Sequence, residues 1–291
     1  MCECHEHRLL GKYSHIKRRV IGHSVLGRKI TAYTVGAQGG VLLCGAFHGM
    51  ERVTASILYR FLDELSGEYE KDSELQKALE QVGVTIVPMI NPDGVEISVH
   101  GEHTAKHLKK NVAECLKREG IPHTRWQANA KGVDINHNFD ADFYTVKQNE
   151  RDMGIVCPSS TRYGGEYPES EKETKALCDF CRQQKYNLAV ALHSQGREIY
   201  YDFGRNTPSD SIEIANNMSA FSGYAVSHPD GIAVGGGFKD WFIEHFHRPA
   251  FTLEIGIGQN PLPSGITESE YPLVSKMLWY LVEYATKNSD E

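Results

Sequence analysis

Residues 40–51 read GVLLCGAFHGME, an apolar run that ends in a histidine and a glutamate. The stretch over 40–47 predicts a buried β-strand, because it is short and almost free of polar side chains. Residues 54–65, TASILYRFLDEL, carry apolar side chains at helical spacing and predict a helix. His48 and Glu51 therefore lie at a strand-to-helix turn, where both side chains can point at one ligand.

The alternation of strand and helix continues along the chain. Apolar runs predict further buried strands at 83–94, 188–196 and 249–256. Helical patterns are found at 102–118, 170–184, 209–223 and 268–287. The second of these helices opens with a serine and has a glutamate three residues later, the spacing of a capping box. Strands that alternate with helices predict an α/β fold, with helices on both faces of a sheet.

The bulk properties are those of an ordinary globular protein. We expect one domain over 1–291, with residues 1–19 held loosely. The net charge of −7 argues against a nucleic-acid partner, and no apolar run reaches the roughly 18–20 residues of a membrane span. Seven cysteines, an odd number, and a polar N-terminus without a secretory signal predict free thiols and a cytoplasmic location.

His48 and Glu51 could hold a metal ion with a third residue. Imidazole nitrogen and carboxylate oxygen both suit Zn²⁺, and a catalytic zinc keeps one position open for water. The His-x-x-Glu spacing is a weak signal alone, because a chain with 14 histidines contains about one such pair by chance. A solvated pair at a helix start is the alternative. His193 is the best third ligand, since it ends an apolar strand, although a lone histidine there is more often structural.

Glu254 lies in FTLEIG, among apolar neighbours on the predicted strand over 249–256. A carboxylate on a buried strand is costly unless it is paired, binds metal or takes part in chemistry. A buried salt bridge is one explanation. The other is a general base, which would take a proton from water activated by a metal ion.

Five blocks of the sequence, in order, resemble the zinc metallocarboxypeptidase family. They are HGME (48–51), NPDG (91–94), GVDINHNF (132–139), LHS (192–194) and TLEIG (252–256). The resemblance extends from about residue 20 to the C-terminus. It implies a three-layer α/β/α sandwich around a twisted, mostly parallel mixed sheet. It also implies that His48, Glu51 and His193 bind one Zn²⁺ ion, and that Glu254 is the general base of a zinc metallopeptidase.

Four further stretches resemble the subgroup that cleaves γ-D-glutamyl-diamino-acid bonds in cell-wall peptides. They are WQANAKGVD (126–134), HSQGREIY (193–200), GGFKDWF (236–242) and GQNPLP (258–263). This resemblance implies a small peptide substrate that is derived from the cell wall. It is less specific than the resemblance to the family.

The resemblance also implies a substrate pocket. Asn136 matches the asparagine of an asparagine–arginine pair that grips the terminal carboxylate of the substrate. The arginine is His137 here, which is shorter, lacks the bidentate fork and is only partly charged near neutral pH, and this weakens the case for strict carboxypeptidase action. Arg125 is the candidate for stabilising the oxyanion, and a surface arginine is the alternative. Ser194, beside the third ligand, is a further candidate for substrate contact.

Two positions of the pocket depart from the family. The family's tyrosine on a mobile loop corresponds to Ile232, so its hydroxyl is absent or comes from elsewhere. Lys239 falls at the floor of the side-chain pocket, where a cation favours a substrate side chain with a negative end, such as the distal carboxylate of diaminopimelate. The alternative is that Lys239 points to solvent or pairs with Asp240.

Other functions are compatible with these residues. A zinc carboxypeptidase for ordinary peptides with acidic C-terminal residues, or a zinc deacylase of acylated amino acids, would use the same His-Glu-His set. A non-catalytic peptide-binding protein would need a broken metal set, whereas all four central residues are present. The sequence therefore predicts a zinc metallopeptidase, with γ-D-glutamyl-diaminopimelate bonds of murein peptides as the expected substrate.

Overall fold

A mixed sheet of eight strands forms the centre of the molecule. The computed structural model describes residues 2–229, 231 and 234–288, without the side chains of residues 2–5. The strands are β1 (Lys17–His23), β2 (Lys29–Val35), β3 (Gly40–Cys44), β4 (Val84–Val87), β5 (Tyr186–His193), β6 (Glu198–Tyr200), β7 (Ala225–Ser227) and β8 (Ala250–Glu254). Their order is β1-β2-β4-β3-β5-β8-β6-β7. β3 pairs in parallel with β4 and β5, as do β5 with β8 and β6 with β7, and the other pairs are antiparallel.

Helices fill most of the connections between the strands. They are α1 (Cys2–Lys12), α2 (Arg52–Lys71), α3 (Ser73–Leu79), α4 (Pro92–His100), α5 (Lys109–Glu119), α6 (Phe143–Asp152), α7 (Lys172–Arg182), α8 (Ser211–Ser222), α9 (Phe238–Phe246) and α10 (Ile266–Lys287). Short 3-10 turns occur at Glu102–Leu108, His123–Arg125, Ile135–His137 and Gly204–Asn206. In the part of the chain that the structure describes, no helix has the length and apolar character that crossing a membrane requires.

Each face of the sheet has its own apolar core, because successive side chains of a strand point to opposite sides. In β3, Val41 and Leu43 pack with apolar side chains of α2 and α10. Leu42 and Cys44 of the same strand belong to a second core with α7 and α9. Helix, sheet and helix thus form three layers, and the predicted α/β/α sandwich is confirmed.

The middle of the sheet positions the predicted functional residues. β3, β5 and β8 are parallel neighbours, so their carboxyl ends meet at one edge. In open α/β sheets this edge is where ligands bind. His48 follows β3, His193 is the last residue of β5, and Glu254 is the last residue of β8.

Two predicted helices differ in detail from the structure. The stretch over 102–118 is a 3-10 turn followed by α5, because Lys106 has a left-handed backbone with φ of 54° and interrupts the helix. The expected capping box does not form at α7, since Glu171 is the N-cap and makes no side-chain capping bond. Glu173 instead accepts a hydrogen bond from the backbone N–H of Val25 at 2.9 Å.

The N-terminal segment packs more closely than expected. Leu9 of α1 is 1% exposed, and Tyr13 and Ile16 belong to the same core as α2 and α10. The Tyr13 hydroxyl also donates to Asp63 at 2.9 Å. Large apolar side chains thus pack the described part of residues 1–19 against the core, which argues against the prediction that this segment is held loosely.

Candidate active site

Two of the predicted metal ligands lie in the turn between β3 and α2. His48 follows the strand, and Glu51 is the N-cap residue of the helix and is 2% exposed. Position 49 of this turn requires glycine, because a Cβ at Gly49 would lie 2.3 Å from the carbonyl oxygen of Gly94. The Thr54 hydroxyl donates to the carbonyl of Glu51 at 2.8 Å. These contacts hold both ligand side chains in fixed positions.

His193 completes a cluster of three side chains that can bind a metal. Its Nδ1 lies 3.1 Å from Glu51 Oε2 and 3.3 Å from His48 Nδ1. His48 Nδ1 in turn lies 3.0 Å from Glu51 Oε1. Within residues 2–229, 231 and 234–288, these three residues are the one group of histidine, cysteine and acidic side chains arranged to hold a metal ion.

The distances in this cluster fit a tetrahedral zinc site. With zinc–nitrogen bonds of about 2.0–2.1 Å, two nitrogens of a tetrahedron are about 3.3 Å apart. The two Nδ1 atoms have this separation, 3.3 Å. Burial alone would raise the pKa of Glu51, but the adjacent imidazoles of His48 and His193 lower it to about 2. Glu51 is therefore ionised at neutral pH, as a metal ligand must be.

Asp134, which the sequence analysis did not single out, orients His48 from behind. Its Oδ1 lies 3.1 Å from His48 Nε2, and its Oδ2 accepts from the backbone N–H of Arg162 at 2.9 Å. Burial alone would raise the pKa of Asp134, but the imidazoles of His48 and His137 hold it well below its usual value. A carboxylate on the outer nitrogen fixes the tautomer that offers Nδ1 to a metal. The sequence did contain a signal for this residue, because Asp134 is the aspartate of the GVDINHNF block that resembles the family.

Glu254, the predicted general base, lies beside the metal cluster. In the parallel pairing of β5 with β8, His193 is opposite Glu254. Burial, together with the charge of Glu51, raises the pKa of Glu254 well above its usual value. Among the described residues no cationic side chain forms an ion pair with Glu254, so a buried salt bridge does not explain this carboxylate.

A cleft of about 430 Å³ opens next to Glu254. Its described lining consists of Arg125, Ser194, Gln195, Tyr200, Glu254, Gly258, Gln259 and Asn260. Arg125 ends a 3-10 turn and is exposed, so a cation and the predicted base share the cleft. Ser194 Oγ donates to Asn260 Oδ1 at 2.8 Å, and Asn260 Nδ2 donates to the carbonyl of Ser194 at 2.6 Å. The structure thus brings Arg125, the candidate for stabilising the oxyanion, and Ser194, a candidate for substrate contact, together with Glu254.

Asn136 and His137 do not belong to the described lining of this cleft. Asn136 Oδ1 accepts from the backbone N–H of Phe238, at the start of α9, at 3.0 Å. His137 Nδ1 is buried without a hydrogen-bond partner and lies 3.7 Å from Glu150 Oε1. Glu150 is itself buried and ion-paired with Lys147. Substrate contact by Asn136 and His137 stays a prediction.

Lys239 is not the free cation that the pocket hypothesis requires. It is 5% exposed, and its Nζ forms an ion pair with Asp240 and donates to the backbone carbonyl of Asp202. Burial raises the pKa of Asp240, although the adjacent ammonium opposes this shift. The alternative in which Lys239 pairs with Asp240 is the arrangement found. Ile232, at the position of the family's loop tyrosine, lies outside the described residues.

A second cavity, of about 600 Å³, is larger than the cleft but lies elsewhere. Its lining comes from α1, β1, β2, α2 and α4 and includes Arg18, Tyr33 and Glu96. The metal cluster and Glu254 do not belong to its described lining. The smaller cleft is lined by Glu254, which lies opposite His193, and is therefore the candidate active site.

His48, Glu51 and His193 can hold a metal ion, and the carboxylate of Glu254 lies beside them, an arrangement that is typical of zinc hydrolases. The sequence profile of the zinc carboxypeptidase family, Peptidase_M14, matches residues 6–270. The chain belongs to this family of zinc metallopeptidases. The predicted resemblance to the family is confirmed.

Individual proteins are similar to the chain over most of its length. Gamma-D-glutamyl-L-diamino acid endopeptidase 1 of Lysinibacillus sphaericus is 31% identical over 88% of this chain and 64% of its own length. YqgT, an uncharacterised protein of Bacillus subtilis (strain 168), is 28% identical over 94% of this chain and 73% of its own. The structure of bovine thrombin-activatable fibrinolysis inhibitor in complex with tick carboxypeptidase inhibitor has a TM-score of 0.75 and 20% identity, over 97% of this chain and 94% of that one. The chain thus spans slightly less than two thirds of the Lysinibacillus protein.

Proposed function

We propose that this protein hydrolyses the bond between γ-D-glutamate and a diamino acid in small peptides derived from the cell wall. The observation that carries the proposal is the 31% identity to an endopeptidase whose name describes this activity. The stretches that resemble this subgroup also lie at the site. Residues 126–134 end with Asp134, and residues 193–200 and 258–263 contribute to the lining of the cleft.

The catalytic chemistry follows from the geometry of the site. His48, Glu51 and His193 would hold one zinc ion, which would supply Lewis-acid polarisation of the scissile carbonyl and a lowered pKa of the attacking water. Glu254 accepts a proton from the attacking water and passes it to the leaving amine. Arg125, the cation on the cleft, stabilises the negative charge that develops on the carbonyl oxygen.

Side chains near the metal site hold the substrate in this proposal. Ser194, fixed by Asn260, contacts the peptide next to the scissile bond. Asn136 and His137 provide a weaker grip for a terminal carboxylate than an asparagine–arginine pair, because imidazole lacks the bidentate fork. A free carboxylate directly after the cleaved bond is therefore not required. Lys239 can take part only where a substrate carboxylate competes with Asp240.

We also propose that the protein acts in the cytoplasm, on imported or recycled peptides. The five cysteines whose side chains the structure describes are free thiols, which suits a reducing compartment: Cys44, Cys115, Cys157, Cys178 and Cys181. Fractionation of cells that express the untagged full-length protein checks this location. Detection of the protein mainly outside the cytoplasmic fraction would overturn it.

Digestion of defined peptides, followed by mass spectrometry, tests the proposed activity. The set contains L-Ala-γ-D-Glu-meso-diaminopimelate, an α-linked peptide with a C-terminal aspartate, and an N-acetyl amino acid. We expect cleavage of the first at the γ-D-Glu–diaminopimelate bond, loss of cleavage with a chelator, and recovery with Zn²⁺. A Glu254→Gln preparation controls for contaminating peptidases.

Each other outcome identifies a different function. Faster cleavage of the aspartate peptide would indicate an ordinary carboxypeptidase with acidic preference. Faster cleavage of the acetyl amino acid would indicate a deacylase. A zinc-loaded protein that binds the muropeptide but cleaves nothing would be a peptide-binding protein.

A further inference from the structure

The strand β6 brings two acceptor side chains next to the predicted base. β6 pairs with β8 in antiparallel register, with Glu198 opposite Glu254 and Tyr200 opposite Thr252. Directly opposite residues point to the same face, and so do residues two apart on one strand. Glu198, Tyr200 and Glu254 therefore share one face of the sheet. Tyr200 and Glu254 both line the cleft of the candidate active site.

Glu198 and Tyr200 are linked to each other. The Tyr200 hydroxyl donates to Glu198 Oε2 at 2.5 Å. Its proton is used in this bond, so its oxygen presents lone pairs to any further partner. A carboxylate accepts several hydrogen bonds, and among the described residues Glu198 Oε1 has no partner. Glu198 Oε1 thus offers an acceptor oxygen to a ligand, beside the Tyr200 hydroxyl.

The negative charge of Glu198 is not balanced by its neighbour in the chain. The guanidinium of Arg197 pairs with Glu270, with Nη2 2.6 Å from Oε1. Like charges directly opposite in a sheet destabilise it, yet Glu198 is opposite Glu254. A half-buried carboxylate in this position fits a site that binds a cation supplied by the substrate.

We propose that Glu198 and Tyr200 bind the side-chain ammonium of the diamino acid on the leaving side of the cleaved bond. This inference rests on the proposed function, which supplies a substrate residue with a second amine. An ammonium has three N–H donors and no acceptor, and so it complements a carboxylate beside a hydroxyl oxygen. Lys239 cannot take this role, because it carries the same charge as the ligand and is buried against Asp240.

A pair of matched substrates tests the proposal. γ-D-Glu-L-lysine carries the ammonium, and γ-D-Glu-L-2-aminoheptanoate has a methyl group in its place. We expect the wild type to prefer the lysine substrate in kcat/KM by about tenfold to hundredfold, the range of one charged hydrogen bond. Glu198→Gln should remove most of this preference, and Tyr200→Phe a smaller part. Glu114→Gln, which removes an exposed carboxylate on α5, is the matched control and should leave the preference unchanged.

A binding measurement separates this inference from the proposed function. Calorimetry gives the Kd of free L-lysine and of L-2-aminoheptanoate for the zinc-loaded wild type and Glu198→Gln, and needs no turnover. Tighter binding of lysine that is lost in Glu198→Gln supports the inference even if neither peptide is cleaved, in which case only the proposed function fails. The inference would be overturned if the wild type bound both ligands equally well. It would also be overturned if Glu198→Gln lost the same affinity for both ligands, because Glu198 would then affect only Glu254 or the fold.

Discussion

The metal side of the cleft and its substrate side are held by the fold to different degrees. On the metal side, Glu51, Asp134 and His193 are each 2% exposed and each lies within 3.1 Å of another polar group of the site. On the substrate side, Gln195 and Gln259 line the cleft and are exposed. The side chains of the metal side are therefore held in position before a ligand binds. The side chains that contact the substrate can adjust when the substrate binds.

This difference indicates what each side has to achieve. A metal site needs donor atoms at fixed distances before the ion arrives, because tetrahedral coordination tolerates little displacement. Substrate selection depends on a difference between two affinities, to which a few exposed groups can contribute. We expect substitutions on the metal side to abolish turnover and those on the substrate side to change the preference among substrates.

The largest expected effect is the loss of turnover when Glu254, the predicted general base, is substituted. Glu254→Gln keeps the shape of the side chain but cannot accept the proton, so we expect kcat for the preferred peptide to fall by about 10²- to 10⁴-fold. Bound zinc should stay at the wild-type level, as measured by elemental analysis. A kcat within threefold of wild type would show that another group is the base.

The buried ion pair of Lys239 with Asp240 could stabilise the fold or bind the substrate, and a substitution of Lys239 distinguishes these two roles. Lys239→Met leaves Asp240 buried and unpaired, so we expect the free energy of unfolding in urea to fall by about 3–5 kcal/mol. The double variant Lys239→Met/Asp240→Asn should recover part of this loss. A variant with wild-type stability but a raised KM for diaminopimelate peptides would instead make Lys239 a substrate residue, as the sequence suggested.

Glu173 links the stability of the metal side to pH. It accepts from Asn129 Nδ2 at 3.3 Å, and Asn129 Oδ1 accepts from the backbone N–H of Val133, directly before Asp134. Burial raises the pKa of Glu173 from 4.5 to about 7. Between these values the folded protein holds a proton that the unfolded chain has lost, so its stability falls as pH rises.

The contribution of Glu173 is measured by comparing two pH profiles of stability. From its pKa shift we expect the wild type to lose about 3 kcal/mol relative to Glu173→Gln between pH 4.5 and 7. Urea unfolding of both proteins at several pH values gives the difference. Parallel profiles would mean that the pKa of Glu173 is the same in the folded and the unfolded protein.

The smallest expected effect is that of the residue behind the metal ligand. Asp134→Asn should weaken zinc binding by about 10- to 100-fold, because it no longer fixes the tautomer of His48. Asp140→Asn, which changes an exposed carboxylate nearby in the chain, is the control. Competition with a chromogenic chelator measures both affinities. Equal affinities would place Asp134 among residues that matter only for the fold.

The site residues that could be predicted from the sequence are those at the ends of long apolar runs. His193 and Glu254 close buried strands, and His48 and Glu51 follow another, so their meeting at one edge could be predicted from the strand order of the family. The strands of the flanks were not predicted. β6 has only three residues, Glu198–Tyr200, too few for an alternating pattern to be visible.

The directions of long side chains could not be predicted either. Position 239 was assigned to the pocket floor, but whether Nζ of Lys239 reaches the pocket or turns to Asp240 depends on the packing around α9. The interruption of the helix at Lys106 could not be predicted either, because the residues on both sides of it keep the apolar spacing of a helix. The role proposed for Glu198 depends on the register of β6 with β8, which places Glu198 opposite Glu254, and the sequence alone does not reveal this register.

The most direct test of the central claim is the zinc content of the wild type, His193→Ala and Glu254→Gln after dialysis against limiting Zn²⁺. We expect one zinc ion per chain in the wild type and in Glu254→Gln. We expect little or none in His193→Ala, since two ligands remain of three. Zinc retained in full by His193→Ala, or absent from the wild type, would contradict the assignment of His48, Glu51 and His193 as the metal site.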